Sequence, residues 1–85
     1  MTYTVQFRHG IERETRGIPA RELQQILAAI RRYSETGHGN VSAMKGKPGQ
    51  YRLRVGDWRV RFAIDHSSNE LVVQHILNRR EAYRD

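Results

Sequence analysis

The feature that most constrains the fold is a period-two alternation of apolar and charged side chains across residues 50–64. Tyr51, Leu53 and Val55 alternate with arginines, and after a Gly-Asp dipeptide the alternation resumes at Trp58. Such alternation is typical of half-buried strands, and two strands joined by a two-residue turn with glycine form a tight hairpin. The segment therefore predicts an antiparallel hairpin with one apolar face and one polar face.

The turn of this hairpin sets the register of its strands. With the turn at residues 56–57, we expect Arg54 opposite Arg59 and Arg52 opposite Arg61. Like charges directly opposed across strands destabilise a sheet by up to about 1 kcal/mol per pair. A solvated face usually mixes both signs, so the pattern favours an anion-binding surface over an ordinary solvated one. The arginine fork suits phosphate, and several phosphates together suit RNA or DNA.

Most of the net positive charge of the chain falls in this region, where six basic residues and one acid give +5. The 85 residues include 15 Lys and Arg and 9 Asp and Glu, which gives a formal net charge of +6. Between residues 45 and 61 there is one acid, Asp57, and the basic residues are Lys45, Lys47, Arg52, Arg54, Arg59 and Arg61. This balance favours a polyanionic partner, with nucleic acid first.

Composition and length exclude several other classes of protein. The chain has no cysteine, which excludes disulfides, a thiolate nucleophile and zinc sites built on sulfur. No stretch approaches the roughly 18–20 apolar residues of a membrane span, and the first residues lack a signal-type apolar run, so we expect a cytoplasmic protein. The histidines and carboxylates have no metal-ligand spacing, so neither a metal nor a cofactor is predicted. A single domain over residues 1–85 is expected.

The remaining segments complete an α+β layout. Residues 2–8 alternate as a strand, 9–16 suit a short charged helix, and 19–34 suit an amphipathic helix with one apolar stripe. The glycine-containing stretch 36–49 is interpreted as a loop, and residues 70–77 as a central strand because they are apolar on both faces. We predict an N-terminal strand, two helices and then three antiparallel strands, in a twisted sheet with the helices packed on one face.

Two segments together resemble the RelE/ParE superfamily of type II toxins. One is the hairpin with its approach, residues 44–65, and the other is the tail, residues 78–83, which reads Asn-Arg-Arg-Glu-Ala-Tyr. The tail is similar to that family's closing arginine-to-tyrosine signature. The front end also fits, since Ile18-Pro19 separates a short charged helix from an amphipathic one. The resemblance covers nearly the whole chain and implies a RelE-like fold.

The resemblance to the RelE branch implies a ribosome-dependent ribonuclease that cuts mRNA in the A site and inhibits translation. In that chemistry the 2′-hydroxyl attacks the adjacent phosphate without a metal and leaves a 2′,3′-cyclic phosphate and a 5′-hydroxyl. By the same resemblance, Arg59 stabilises the transition-state charge, Arg79 contacts the scissile phosphate, and Tyr83 stacks on the codon base or exchanges a proton. The RNA-binding set would be Lys45, Lys47, Arg52, Arg54, Arg61 and Arg80.

The general base of such a reaction is left open by the sequence. Arg52 and Arg54 stand where RelE-type proteins often carry lysine, and arginine does not release its proton as a buried lysine can. Tyr83 is the first candidate for the base. His75 is the second, although the side of the sheet on which it lies is undetermined.

Other functions are also compatible with the sequence. The gyrase-inhibiting ParE branch is similar, but it tends to have a longer helical hairpin and to lack the basic residues and tyrosine, so the ribonuclease branch is favoured. A simple RNA-binding module and an inactive relic are further alternatives. The resemblance implies a cognate antitoxin as partner in either branch, and ribosome and mRNA as partners in the RelE branch.

Overall fold

A five-stranded sheet organises the chain in the computed structural model, which describes residues 2–82. In chain order the elements are β1 (Thr4–Phe7), α1 (Glu12–Thr15), α2 (Ala20–Thr36), β2 (Val41–Ala43), β3 (Gln50–Val55), β4 (Trp58–Asp65), β5 (Glu70–Asn78) and α3 (Arg79–Ala82). The strands lie in the order β1-β5-β4-β3-β2. Strand β1 is parallel to β5, and all other pairs are antiparallel. The predicted α+β class is confirmed.

Helix α2 packs its apolar stripe against one face of the sheet. Ile26 and Ile30 are buried in one core cluster with Val60 of β4 and neighbouring strand residues. Burying a side chain of this size stabilises a fold by about 1.5–3 kcal/mol. The helix ends where Gly37 takes a left-handed conformation with a φ of 77°, and its amide donates to the Tyr33 carbonyl at 2.8 Å. The amphipathic helix is thus confirmed and extends slightly beyond its predicted end.

The hairpin of β3 and β4 has the predicted register. Arg54 lies opposite Arg59, and Arg52 lies opposite Arg61. Gly56 has a φ of 58° at the first turn position, a conformation that glycine adopts without strain and that suits a type II′ turn. The local signals of turn and alternation were therefore sufficient to define this part of the sheet.

Strand β5 is an interior strand, as its apolar character predicted, but its pairing with β4 is interrupted by a bulge. Phe62 lies opposite Val73, whereas the preceding Arg61 lies opposite His75. The extra residue allows Val73 and Ile76 both to be buried in the core. It also places His75 on the face of Arg61, because directly opposed residues share a face of a sheet.

Three elements of the structure differ from the sequence expectation. Strand β2 lies in the stretch that was interpreted as a loop and pairs with the edge of β3. Its three residues are too few for a period to be recognised. The tail, for which no helix was predicted, begins with the single helical turn α3. The short helix predicted over residues 9–16 is reduced to the single turn α1.

Candidate functional site

The hairpin arginines form two rows on the face of the sheet opposite α2. Arg54 and Arg59 make the row next to the hairpin turn, and Arg52 and Arg61 make the second row. Adjacent strands are about 4.8 Å apart, and residues two positions apart on a strand are separated by about 7 Å. These four side chains, the arginine cluster, therefore start within one small area.

Two members of the arginine cluster are buried. Arg59 is 3% exposed and Arg61 is 6% exposed, whereas Arg54 is exposed and Arg52 is half-buried. The alternation predicted a polar face but gave no measure of this burial, which follows from the position of β4 between β3 and β5. Guanidinium groups stay charged in proteins, and charges attract more strongly away from bulk water. The cluster is thus suited to attract a phosphate strongly.

The tail and the hairpin meet at the turn. Arg59 donates from Nη1 to the carbonyls of Gly56 and Trp58, at 2.8 and 3.0 Å. At the same turn, the backbone amide of Arg79 donates to the Asp57 carbonyl at 2.7 Å. The fold therefore brings Arg59 and the start of α3 to one corner of the sheet, which we call the turn corner.

A cleft at the turn corner is open to solvent. Its lining residues are Asp57, Asn78, Arg79 and Arg80, and its volume is about 480 Å³. Both arginines are exposed. A cleft of this size accommodates a nucleotide-sized group, and its basic side chains favour an anionic one.

The predicted lysines lie away from the turn corner. Lys45 and Lys47 are exposed in the loop that precedes β3. Strand β3 runs from Gln50 to Val55 between that loop and the turn, a span of about 17 Å. The lysines therefore lie too far away to share one small ligand with the cleft at the turn corner. Tyr83 lies outside the described residues.

A second polar centre lies at the edge of β5. Strand β1 pairs with only the first part of β5, and side chains that follow β1 meet the rest of the edge. Arg8 donates from Nε to the Gln74 carbonyl at 2.6 Å, and Glu14 accepts the Ile76 amide at its Oε2, at 2.9 Å. Oε1 of Glu14 lies 2.8 Å from Nδ1 of His75 and accepts from Nη2 of Arg8 at 2.7 Å. These side chains provide hydrogen-bond partners for backbone groups of β5 beyond the point where β1 ends.

Sequence reasoning missed Arg8 and Glu14. Arg8 ended the predicted N-terminal strand and Glu14 belonged to the short charged helix, and neither was given a role. Their partners on β5 lie far away along the chain. A contact of this kind leaves no local period or spacing. His75 was a candidate of undetermined orientation, and the bulge assigns it to the arginine face.

Glu14 is expected to make folding stability sensitive to acid. Burial works to raise the pKa of Glu14, but the Ile76 amide, the His75 ring and Arg8 together hold this pKa below its ordinary value of 4.5. A carboxyl whose pKa is lowered on folding stabilises the protein above its unfolded pKa, and the stabilisation is lost as pH falls through the folded pKa. We expect the free energy of unfolding to decrease below a pH of about 4.5, and to decrease less steeply in Glu14→Gln.

Urea denaturation at a series of pH values measures this effect. Glu12→Gln is the matched control, because Glu12 is exposed on the same helical turn. It should leave the acid dependence close to that of the unmodified protein. Equal slopes for the unmodified protein and Glu14→Gln would contradict the assignment of this stabilisation to Glu14.

The described residues hold neither a metal-binding cluster nor a membrane-spanning helix. Among residues 2–82, no group of three or more His, Asp or Glu side chains is placed to hold a metal ion. No helix within the described part of the chain has the length and apolar character needed to cross a bilayer.

Comparison with known proteins identifies the family. The model of a family described as "ParE toxin of type II toxin-antitoxin system, parDE" matches residues 3–83. The chain belongs to the RelE/ParE superfamily of type II toxins. The resemblance predicted from the hairpin and tail of this toxin is thereby confirmed. No curated protein matches its sequence significantly.

Solved toxins share the fold of this toxin. RelE in the archaeal RelE–RelB complex from Pyrococcus horikoshii OT3 is 19% identical, with 100% of both chains covered and a TM-score of 0.78. RelE in the RelB–RelE complex from Methanococcus jannaschii is 18% identical, with 92% of this chain and 94% of that chain covered and a TM-score of 0.77. A mutant of E. coli RelE in the free state is 16% identical, with 98% and 88% covered and a TM-score of 0.79. These similarities confirm the RelE-like fold.

Proposed function

We propose that this toxin is a ribosome-dependent endoribonuclease that cleaves mRNA and thereby inhibits translation. The observation that carries the proposal is the turn corner, where the guanidinium of Arg59 and the start of α3 at Arg79 meet beside the rest of the arginine cluster. Guanidinium forks match the oxygens of a phosphate, and preorganised cations stabilise the charge that develops during its displacement. Lys45 and Lys47, in the loop that precedes β3, suit a long RNA better than a small metabolite.

The proposed reaction is an internal transesterification of RNA. The ribose 2′-oxygen forms a bond to the adjacent phosphorus, and the bond from phosphorus to the 5′-oxygen breaks. Arg59 stabilises the charge on the phosphorane, Arg79 holds the scissile phosphate, and Tyr83 stacks on or orients the codon base. The flanking phosphates are held by Lys45, Lys47, Arg52, Arg54, Arg61 and Arg80. This scheme requires no metal or cofactor.

A cognate antitoxin is the proposed protein partner of this cytoplasmic toxin. The similar RelE toxins of Pyrococcus horikoshii and Methanococcus jannaschii were solved in complexes with RelB. The concentration of positive charge in the arginine cluster suits an acidic segment of such a partner.

Mapping transcript 5′ ends after a short induction tests the ribonuclease proposal. New ends inside translated regions are expected, and they should carry 5′-hydroxyl groups because the 5′-oxygen is the leaving group. Purified toxin should create the same ends on mRNA bound to ribosomes. Intact message on translating ribosomes, with toxin present, would contradict the proposal.

Inhibition of DNA gyrase is the second candidate function, because the matching family model is that of ParE toxins. Against it, α1 is a single turn, whereas the resemblance implies a longer helical hairpin for the ParE branch. A supercoiling assay with purified toxin and gyrase separates the two functions. Inhibited supercoiling with uncut message would favour the ParE-like function. Harmless expression with RNA binding that weakens steeply in salt would instead favour a simple RNA-binding module.

A further inference from the structure

His75 lies next to the arginine cluster with its ring accessible. It is directly opposite Arg61 across β4 and β5, and the Cα atoms of opposed residues are about 4.5–5.5 Å apart. Its side chain is 42% exposed. A flanking phosphate held at Arg61 would therefore place its neighbouring nucleotide close to an imidazole that solvent and ligands can reach.

Glu14 fixes the orientation of this imidazole. Nδ1 of His75 lies 2.8 Å from Oε1 of Glu14, whose other oxygen accepts the Ile76 amide at 2.9 Å. Although burial works to raise the pKa of Glu14, the Ile76 amide, the His75 ring and Arg8 hold it below its ordinary value, so the carboxylate is ionised at neutral pH. An ionised carboxylate only accepts hydrogen bonds, so a neutral His75 ring carries its proton on Nδ1. Nε2 is then a free acceptor directed away from Glu14.

We propose that His75 is the general base of RNA cleavage and that Glu14 is its positioning residue. The proposal rests on the ribonuclease function and identifies the base that the sequence leaves open. An imidazole suits this role at neutral pH better than a phenol, because phenols titrate roughly three units higher than imidazoles. Geometry supports the same choice, because one ring nitrogen is held by a carboxylate while the other is available to substrate.

The step balances without any further reagent except water. Nε2 of His75 takes the proton of the ribose 2′-hydroxyl as the 2′-oxygen forms its bond to phosphorus. The electron pair of the breaking phosphorus–oxygen bond goes to the 5′-oxygen, which takes a proton from water. The imidazolium then returns its proton to water, and the products are a 2′,3′-cyclic phosphate and a 5′-hydroxyl.

Charged groups from three neighbouring elements face His75. Glu14 belongs to α1, and Arg8 follows β1 at the strand edge. Arg61 is opposite His75 on β4, and Arg59 is one row nearer the turn. Arg59 would stabilise the scissile phosphate and Arg61 would hold the flanking one. The Glu14 carboxylate on the other side orients the ring and stabilises it when it is protonated.

His75→Asn is the decisive substitution. The asparagine amide can still donate to Glu14 from the position of Nδ1, but it has no basic nitrogen at the position of Nε2. The kcat for cleavage of ribosome-bound mRNA should fall about 10²- to 10⁴-fold with little change in KM or in the urea midpoint. The rate of the unmodified toxin should also fall as pH is lowered, and this acid limb should be absent in His75→Asn.

Two further variants accompany this measurement. Glu14→Gln keeps an oxygen for the Ile76 amide but turns an amide donor towards Nδ1, which favours the tautomer with its proton on Nε2. We expect kcat to fall in Glu14→Gln even where the protein remains folded. His66→Asn, in an exposed turn at the other end of β5, should cleave at the rate of the unmodified toxin.

The outcomes separate the base assignment from the ribonuclease function. If the unmodified toxin cleaves and His75→Asn cleaves equally fast with the same acid limb, the base assignment is wrong and the ribonuclease function stands. A His75→Asn protein that loses stability but retains the acid limb would show a structural role only and would also overturn the assignment. If the unmodified toxin leaves ribosome-bound mRNA intact, both proposals fail.

Discussion

The double variant Arg59→Ala and Arg79→Ala is expected to lose mRNA cleavage and growth arrest completely. Removal of one preorganised donor from a site of developing negative charge typically costs about 10²- to 10³-fold in rate. Arg59 and Arg79 meet at the turn corner, so their losses should combine, although not as a simple product. Cleavage of ribosome-bound mRNA by purified protein measures the rate, and colony formation after induction measures growth arrest.

The single variant Arg79→Ala separates chemistry from folding. Arg79 is exposed, and alanine keeps the backbone amide that donates to the Asp57 carbonyl, so the fold should be retained. Arg21→Ala, on the exposed face of α2, is the matched control for the loss of one positive charge. Cleavage by the folded double variant at the rate of Arg21→Ala would refute the roles proposed for Arg59 and Arg79.

The largest expected effect on stability belongs to Phe62→Ala. Phe62 is 1% exposed, and its ring centroid lies 5.6 Å from that of Tyr51 and 5.5 Å from that of Tyr33. Truncation of a buried phenylalanine costs about 3–5 kcal/mol, through lost burial and the cavity that remains. Small domains have only about 5–15 kcal/mol in total, so the variant should be largely unfolded under mild denaturing conditions. Urea denaturation followed by circular dichroism measures the loss.

Phe7→Ala is the matched control for Phe62→Ala. Phe7 is the other phenylalanine of the chain, and it is 46% exposed on the edge strand β1. Its truncation should cost less than half as much, because less apolar surface is withdrawn from water there. If Phe62→Ala does not fold at all, Phe62→Leu should give a smaller, measurable loss. Equal losses at the two positions would contradict the packing described for β4.

The sequence predicted those parts of the fold that depend on neighbouring residues. Turn chemistry at Gly56 and the alternation around it defined the pairing of Arg52 with Arg61 and of Arg54 with Arg59. The apolar stripe of α2 was equally local, because it repeats every turn of a helix. The fold class could therefore be predicted from these local patterns. The superfamily was indicated separately, by the resemblance of residues 44–65 and 78–83 to known toxins.

The parts that were missed depend on contacts between distant segments. The bulge in β5 exists because Val73 and Ile76 must both be buried, and only the assembled core imposes that requirement. The contact of Glu14 with His75 depends on the same bulge and on the short length of β1. Strand β2 exists only because β3 offers it an edge. None of these features has a period or a spacing that a single sequence displays.

The parallel pairing of β1 with β5 determines when the chain can complete its fold during synthesis. Thr4 pairs with Glu70, and Phe7 pairs with Val73. The first strand to be synthesised therefore cannot pair until the last strand is available. Pairing between such distant segments is slow, because closing the long intervening loop costs entropy before the new contacts form. Arg61 and His75 are likewise brought together only once β5 is in place. A nascent chain therefore cannot complete the described sheet, or bring Arg61 and His75 together, before residues 70–78 have been synthesised.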